Sequence, residues 1–161
     1  MGAVFVAVAV ILVIAWRPAK DYIAPVDYTG AIDNAVANSN WPVYIPSKIP
    51  ENFEVTSARF ESESYGDGTD TRWYLGFASN DEFISLWQSD GDFAQIKSAT
   101  IPNAQCTDTK QIANQDWQKC ISLDPATNGY VRNEGELIYI VSGTVDLAEL
   151  ETFITSLEIA K

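Results

Sequence analysis

Apolar residues run unbroken from Met1 to Trp16, then break into short stretches of strand-like or helix-like period as far as the C-terminus. The opening run, MGAVFVAVAVILVIAW, has no charged side chain, and Arg17-Pro18 ends it because proline disfavours helix at the residue before it. An element apolar on every side at a chain end predicts an N-terminal transmembrane helix over residues 1–16. Such a helix reaches about 24 Å, against a hydrocarbon core of about 30 Å. The shortfall predicts that the natural chain starts upstream, with basic residues ahead of Met1. Other readings fit less well. A secretory signal needs a positive n-region and a small-x-small cleavage site, and Ala15-Trp16-Arg17 suits cleavage poorly. A lipoprotein signal needs a cysteine after the run, and the first is Cys106. A buried core helix fits on length alone.

Residues 17–28 read as a juxtamembrane linker kept extended by Pro18 and Pro25. The remainder, residues 29–161, is predicted to be one extracytoplasmic domain. Thr29 to Asn38 has helical spacing, with Thr29 as cap and Ile32, Ala35 and Val36 on one face. Three prolines between Pro42 and Pro50 exclude an internal strand, so this segment is predicted to cover or edge the fold, with Val43, Ile45 and Ile49 inward. Alternation then predicts a meander: Phe53 to Glu63, Thr71 to Ala78 with Trp73, Leu75 and Phe77 on one face, and Glu82 to Gln88. A short helix over Asp90 to Ser98 carries Phe93 and Ile96.

Two hairpins follow. Thr109 to Ala113 pairs with Asp116 to Leu123 around Asn114-Gln115, placing Trp117, Ile121 and Leu123 on one face; Gly129 to Asn133 pairs with Glu136 to Ser142. The last element is a helix capped by Thr144, with Asp146 and Glu149 in its first turn and Leu147, Leu150, Ile154 and Leu157 along one side. The order predicts an α+β fold: an antiparallel sheet with packed helices, an α/β sandwich, behind one N-terminal transmembrane helix.

Charge narrows the partners. The chain carries 22 Asp+Glu against 10 Lys+Arg, a formal net charge of −12. That balance argues against nucleic acid and anionic headgroups, both of which call for basic patches. Cys106 and Cys120 stand alone, and in an exported domain they are most simply a disulfide, with two buried free thiols as the alternative. Arg17 and Lys20 would by themselves place the domain inside. The cysteine usage points outside, and that is the expectation adopted.

No histidine occurs anywhere. Its absence removes Ser-His-Asp and Cys-His catalysis, the zinc hydrolases and the usual neutral-pH base. Carboxylate pairs stand at Glu61/Glu63, Asp67/Asp70, Asp81/Glu82 and Asp90/Asp92, mostly in turns where Asp is favoured anyway. Asp67-Gly68-Thr69-Asp70 and Asp90-Gly91-Asp92 lack the full calcium-loop pattern. No catalytic residue, metal site or cofactor is therefore predicted. Trp73, Tyr74, Trp87 and Trp117 are candidates for an apolar ligand surface, although aromatics in strands ordinarily fill a sheet–helix interface.

Several stretches together carry a family resemblance. They are Val26-Asp27-Tyr28-Thr29-Gly30-Ala31, Trp41-Pro42-Val43, Pro46-Ser47-Lys48-Ile49-Pro50, Trp73-Tyr74-Leu75-Gly76-Phe77, Ile84-Ser85-Leu86-Trp87-Gln88-Ser89 and Val141-Ser142-Gly143-Thr144. In this order and spacing the chain resembles a family of uncharacterised actinobacterial single-pass membrane proteins, domain of unknown function 4245. The resemblance implies a span preceded by basic residues and assigns no activity. The chain departs from the pattern at Asn52-Phe53, where Gly-Trp is frequent, and at Asn114-Gln115, where a glycine usually stands. The cysteine pair is a further departure. In element order alone, the layout is similar to the Mog1/PsbP-like sandwich.

The expectation for function is a non-enzymatic accessory or binding module at the cell envelope. Its partners would be the membrane, through the N-terminal helix, and other envelope proteins or a small ligand. The alternatives are a carrier of a hydrophobic molecule and an exported enzyme using paired carboxylates or a metal.

Overall fold

The computed structural model describes Val26, residues 28–65 and residues 68–161. The predicted anchor and nearly all of the linker lie outside the described residues. No helix among the described residues is long and apolar enough to cross a membrane.

The elements in chain order are α1 (Thr29–Asn38), β1 (Tyr44–Pro46), β2 (Glu54–Tyr65), β3 (Gly68–Ala78), β4 (Phe83–Ser89), α2 (Phe93–Thr100), β5 (Gln105–Ile112), β6 (Gln115–Leu123), β7 (Ala126–Glu134), β8 (Leu137–Gly143), α3 (Leu147–Thr155) and β9 (Leu157–Ile159). Seven strands form one sheet in the order β2-β3-β4-β8-β7-β6-β5. Each ladder in it is antiparallel. Two meanders, β2-β3-β4 and β5-β6-β7-β8, thus meet at the β4–β8 ladder, and α2 carries the chain between them.

Alternation sends successive side chains to opposite faces, and both faces are covered. On the first, Trp73, Leu75 and Phe77 of β3, Ile84 and Leu86 of β4 and Val141 of β8 pack under Ala35 of α1 and Leu150, Phe153 and Ile154 of α3. Phe153 meets the Phe77 ring edge-on at 5.4 Å. On the second face, Ile96 of α2 and Ile101, just past its C-terminus, close over Cys120, Val131, Ile138 and Ile140. The Cys106–Cys120 disulfide is formed, joining cross-strand partners of β5 and β6. An α+β sandwich of antiparallel sheet and helices is the architecture.

Several predicted details shift. Tyr28, not Thr29, holds the N-cap of α1, and its side chain makes no capping bond. Val36 turns outward, leaving Ala35 as the buried residue of that helix. Asp146 rather than Thr144 caps α3, accepting from the Glu149 amide at 2.9 Å. Thr144 instead accepts from the Phe83 amide at 3.0 Å and so ties α3's approach to β4. Leu157 lies past the helix, in β9. Leu123, at the end of β6, is 89% exposed and does not share Trp117's environment. β5 starts at Gln105, well before Thr109, because an edge strand with little burial on either side shows no alternation to read.

The proline-rich segment does act as a cover. Val43 is buried, Ile45 and Ile49 are partly so, and β1 pairs antiparallel with β9 in a second, two-stranded sheet. Gln88 fastens this ribbon to the main sheet. Its side-chain oxygen accepts from the Tyr44 amide at 2.6 Å, and its side-chain nitrogen donates to the Pro42 carbonyl at 3.0 Å. Gln88 is fully buried, so these two bonds satisfy an amide that would otherwise cost stability.

Candidate functional site

The four candidate aromatics do not converge. Trp73 is 0% exposed and donates its indole N–H to the Tyr44 carbonyl at 3.0 Å, so it holds β1 in place. Tyr74, its neighbour in the same strand, necessarily faces the other way. There it packs against Trp87 with ring centres 4.5 Å apart, and the Arg59 guanidinium lies 4.7 Å from its ring centre. Trp87 also borders a depression of about 170 Å³ with Arg72 and the Gln95, Ile96 and Ala99 side of α2. Trp117 alone of the four borders a cavity on the first face.

That cavity has a volume of about 120 Å³ and is lined by Tyr44, Gln115, Trp117, Arg132, Tyr139 and Ile154, with Ala113 and Leu157 at its margin. Four parts of the fold meet there: the β5–β6 turn, the sheet, the end of α3 and the β1–β9 ribbon. The turn is tight, with Ala113 at φ 49° and Asn114 at φ 62°, and it brings Gln115 to the rim. Register does the rest. Arg132 stands directly across from Tyr139 in the β7–β8 ladder, and its guanidinium lies 4.0 Å from the Tyr139 ring centre and 5.4 Å from that of Trp117. Tyr44 meets Tyr139 edge-on at 5.8 Å. Burial raises the Tyr139 pKa above the usual tyrosine value, and the nearby Arg132 charge works against that rise.

Two of the lining residues carry unmatched polar atoms. Arg132 is 8% exposed and Trp117 is 3% exposed, yet the Arg132 Nε and the Trp117 Nε1 are buried with no hydrogen-bond partner among the described residues. Arg132 keeps one ion pair, Nη2 to Glu134 at 3.0 Å, with a carboxylate that is itself 62% exposed. A buried donor left unmatched costs roughly 1–3 kcal/mol. Both atoms have almost no accessible surface, so they lie within the packing of these residues rather than at the cavity surface.

The matching family decides the chain's kinship. The chain belongs to the family described as Protein of unknown function (DUF4245), matched over residues 1–157. No curated protein and no solved structure matches it.

In this DUF4245 chain two of the four carboxylate pairs are occupied with local structure. Glu61 pairs with Arg59 and Glu63 with Arg72, each at 3.3 Å. Asp90 accepts from the Thr71 amide and, at 2.9 Å, from its hydroxyl, while Asp92 caps α2 by accepting from the Gln95 amide at 2.7 Å. Asp81 and Glu82 are exposed beside the β3–β4 turn, and Asp67 lies outside the described residues. Among the described residues no group of three or more Cys, Asp or Glu side chains is placed to hold a metal.

One further polar cluster binds α3 to the sheet. Glu151 accepts from the Tyr130 hydroxyl at 2.6 Å and from the Lys110 ammonium at 2.7 Å. Those two hydrogen bonds, Lys110's first, hold the Glu151 carboxyl below its usual pKa, and burial together with Glu151 pushes Tyr130 well above its own. Every member is partnered, so its role is attachment.

Neither Arg132 nor Tyr139 stands out in the sequence. Gly129-Tyr130-Val131-Arg132-Asn133-Glu134 reads as a strand whose charged end is solvated, and the one available signal was that Arg132 shares its strand parity with the buried Tyr130.

Proposed function

We propose that this DUF4245 protein is a non-enzymatic binding module, held at the outer face of the cytoplasmic membrane by Met1–Trp16, that receives a small ligand in the cavity between Trp117, Arg132 and Tyr139. One observation carries the reading: Trp117 of β6, Arg132 of β7 and Tyr139 of β8 line one partly apolar cavity, with the Arg132 guanidinium close to both rings. Binding sites commonly combine apolar walls with a few converging polar groups. Glu61, Glu63, Asp90 and Asp92 already serve ion pairs, a strand contact and a helix cap, which leaves these carboxylates engaged elsewhere than in acid–base chemistry. A volume of about 120 Å³ is also too small for a long hydrophobic cargo. The anchor rests on the uninterrupted apolar run and the outward orientation on the disulfide.

The test is native mass spectrometry of the full chain taken from its own membranes in mild detergent. The wild type should carry a small bound mass that Arg132→Met loses while remaining folded. A wild type with no bound mass, or the same mass on both proteins, overturns the reading. Protease added to intact cells stripped of their wall should remove the domain, and complete protection would refute the outward orientation.

A further inference from the structure

Apart from that cavity, we infer that the outer edge of β5, with the trough between it and α3, takes an extended segment of a partner protein as an eighth strand. β5 ends the seven-stranded sheet, and among the described residues its backbone bonds only to β6. The opposite edge is engaged, because Val26 donates to the Val55 carbonyl of β2 at 3.0 Å. The two-residue turn at Ala113-Asn114 fixes which groups of β5 are free. It makes Ile112 and Gln115 a hydrogen-bonded pair and Lys110 and Trp117 the next. The N–H and C=O of Thr109 and Gln111 therefore point away from β6.

Natural sheets commonly guard an open edge with a bulge or a charged side chain. Here both devices miss the last part of the strand. The ladder irregularity falls between Cys106 and Thr109, which leaves residues 109–112 in regular register. Lys110, the one charge in that stretch, reaches across to Glu151 at 2.7 Å instead of standing over the edge. The disulfide already holds β5 against β6, so little further ordering is needed when a partner binds.

α3 supplies the far wall. Ala148, Thr152 and Thr155 share one side of the helix and face Lys110, Ile112 and Ala113 across a trough of about 690 Å³. The Thr152 and Thr155 hydroxyls donate to the Ala148 and Glu151 carbonyls, which leaves their lone pairs for incoming donors. An edge strand beside a groove is how strand addition recognises peptides: backbone bonds give affinity, and alternate side chains enter the groove. Outward groups two residues apart, about 6.6 Å along the strand, are matched by another extended backbone. Residues 109–112 span about 13 Å, enough for roughly four to six peptide residues. Ile112, Ala113 and Ala148 suit small or β-branched side chains. The net charge of −12, with Asp108 89% exposed on the same strand, favours a basic segment over an acidic one and disfavours a second copy of this chain.

The experiment titrates the full chain in detergent with the blocked hexapeptide acetyl-Lys-Val-Thr-Val-Thr-Lys-amide, following backbone amide resonances and their exchange with solvent. The peptide should shift the β5 and α3 amides saturably and slow exchange at Thr109 and Gln111 at least tenfold. A version N-methylated at every inner amide should do neither, and one with Glu in place of Lys should bind at least threefold more weakly. Gln111→Pro removes an outward N–H that the β5–β6 ladder does not use, so it should fold and lose the peptide response. Thr152→Tyr narrows the trough from the helix, touches no strand, and should weaken binding at least fivefold. Arg132→Met should leave the response unchanged, which separates this site from the cavity. No saturable response, an equal response to the N-methylated peptide, or a response that survives both Gln111→Pro and Thr152→Tyr overturns the inference. A dimer without peptide that Gln111→Pro dissociates, seen by light scattering, would assign the edge to a second copy and overturn it too.

Discussion

The Arg132 guanidinium lies 4.0 Å from the ring centre of Tyr139, its direct partner across the β7–β8 ladder. A cross-strand pair on one face brings a charge over an aromatic ring. Such contacts contribute about 0.5–2 kcal/mol. Against them stands the cost of a buried, incompletely paired cation, and replacing such a group with an apolar one of similar volume is often neutral or better. We expect Arg132→Met to stay within about 1 kcal/mol of the wild type in urea unfolding. A loss of about 3 kcal/mol would make Arg132 a structural residue instead.

Gly143 has less freedom. It sits opposite Ile84 in the β4–β8 ladder, and a Cβ there would run into the Phe83 carbonyl oxygen and approach the Ile84 Cα at 3.2 Å. These are backbone atoms of a central strand, which cannot rotate away. Gly143→Ala should destabilise by about 2–3 kcal/mol, in the range of an overpacked core. The neighbouring Gly135, in a hairpin turn at φ 65°, has nothing within reach of an added Cβ, so Gly135→Ala should cost only the strain of that conformation. Comparing the two variants by thermal unfolding separates collision from strain, and a Gly143→Ala that melted with the wild type would contradict the packing described.

The disulfide staples the outermost strand. β5 has a single strand neighbour, and its ladder is irregular between Cys106 and Thr109. Closing a loop of about 15 residues contributes roughly 3 kcal/mol. Reduction, or the double change Cys106→Ala and Cys120→Ala, should lower stability by about that amount. Amide exchange should rise first in β5, and protection of β5 unchanged on reduction would refute the staple.

The Tyr130–Glu151–Lys110 cluster predicts how stability depends on pH at both extremes. Hydrogen bonds from Lys110 and Tyr130 lower the Glu151 pKa, so the folded state prefers the ionised form. Its contribution is complete above the ordinary value of 4.5 and is lost as pH falls further. Tyr130 is shifted upward, chiefly by burial, so its contribution is complete below the ordinary value of 10.0 and is lost as pH rises beyond it. Glu151→Gln should flatten the acid limb of a plot of unfolding midpoint against pH. An acid limb identical in both proteins would remove Glu151 as its source.

Much of the sheet is legible as period two. Trp73, Leu75 and Phe77 fall on one face and Tyr74 on the other, as alternation requires, and Ile84 and Leu86 oppose Trp87 in the same way. The bounds of α1 at Thr29 and Asn38 follow from helical spacing. What escapes is whatever depends on a distant neighbour. Thr144 is a plausible cap until β4 arrives to claim its hydroxyl, and β1 and β9 are three residues each, too short for any period.

The cavity shows the same division. From the sequence alone come the residue types, the strand parity that turns Trp117, Arg132 and Tyr139 to particular faces, and the lack of histidine that closes off whole classes of chemistry. Alternation is a property of adjacent residues, so a single chain segment suffices to set it. Which strands lie side by side is not local. β8 passes beside β4 rather than ending at an edge, β7 follows in register, and α3 with the β1–β9 ribbon closes the top. Only that lateral order, decided by burial summed over the whole sheet, places an arginine beside two aromatic rings and leaves its Nε without a partner among the described residues.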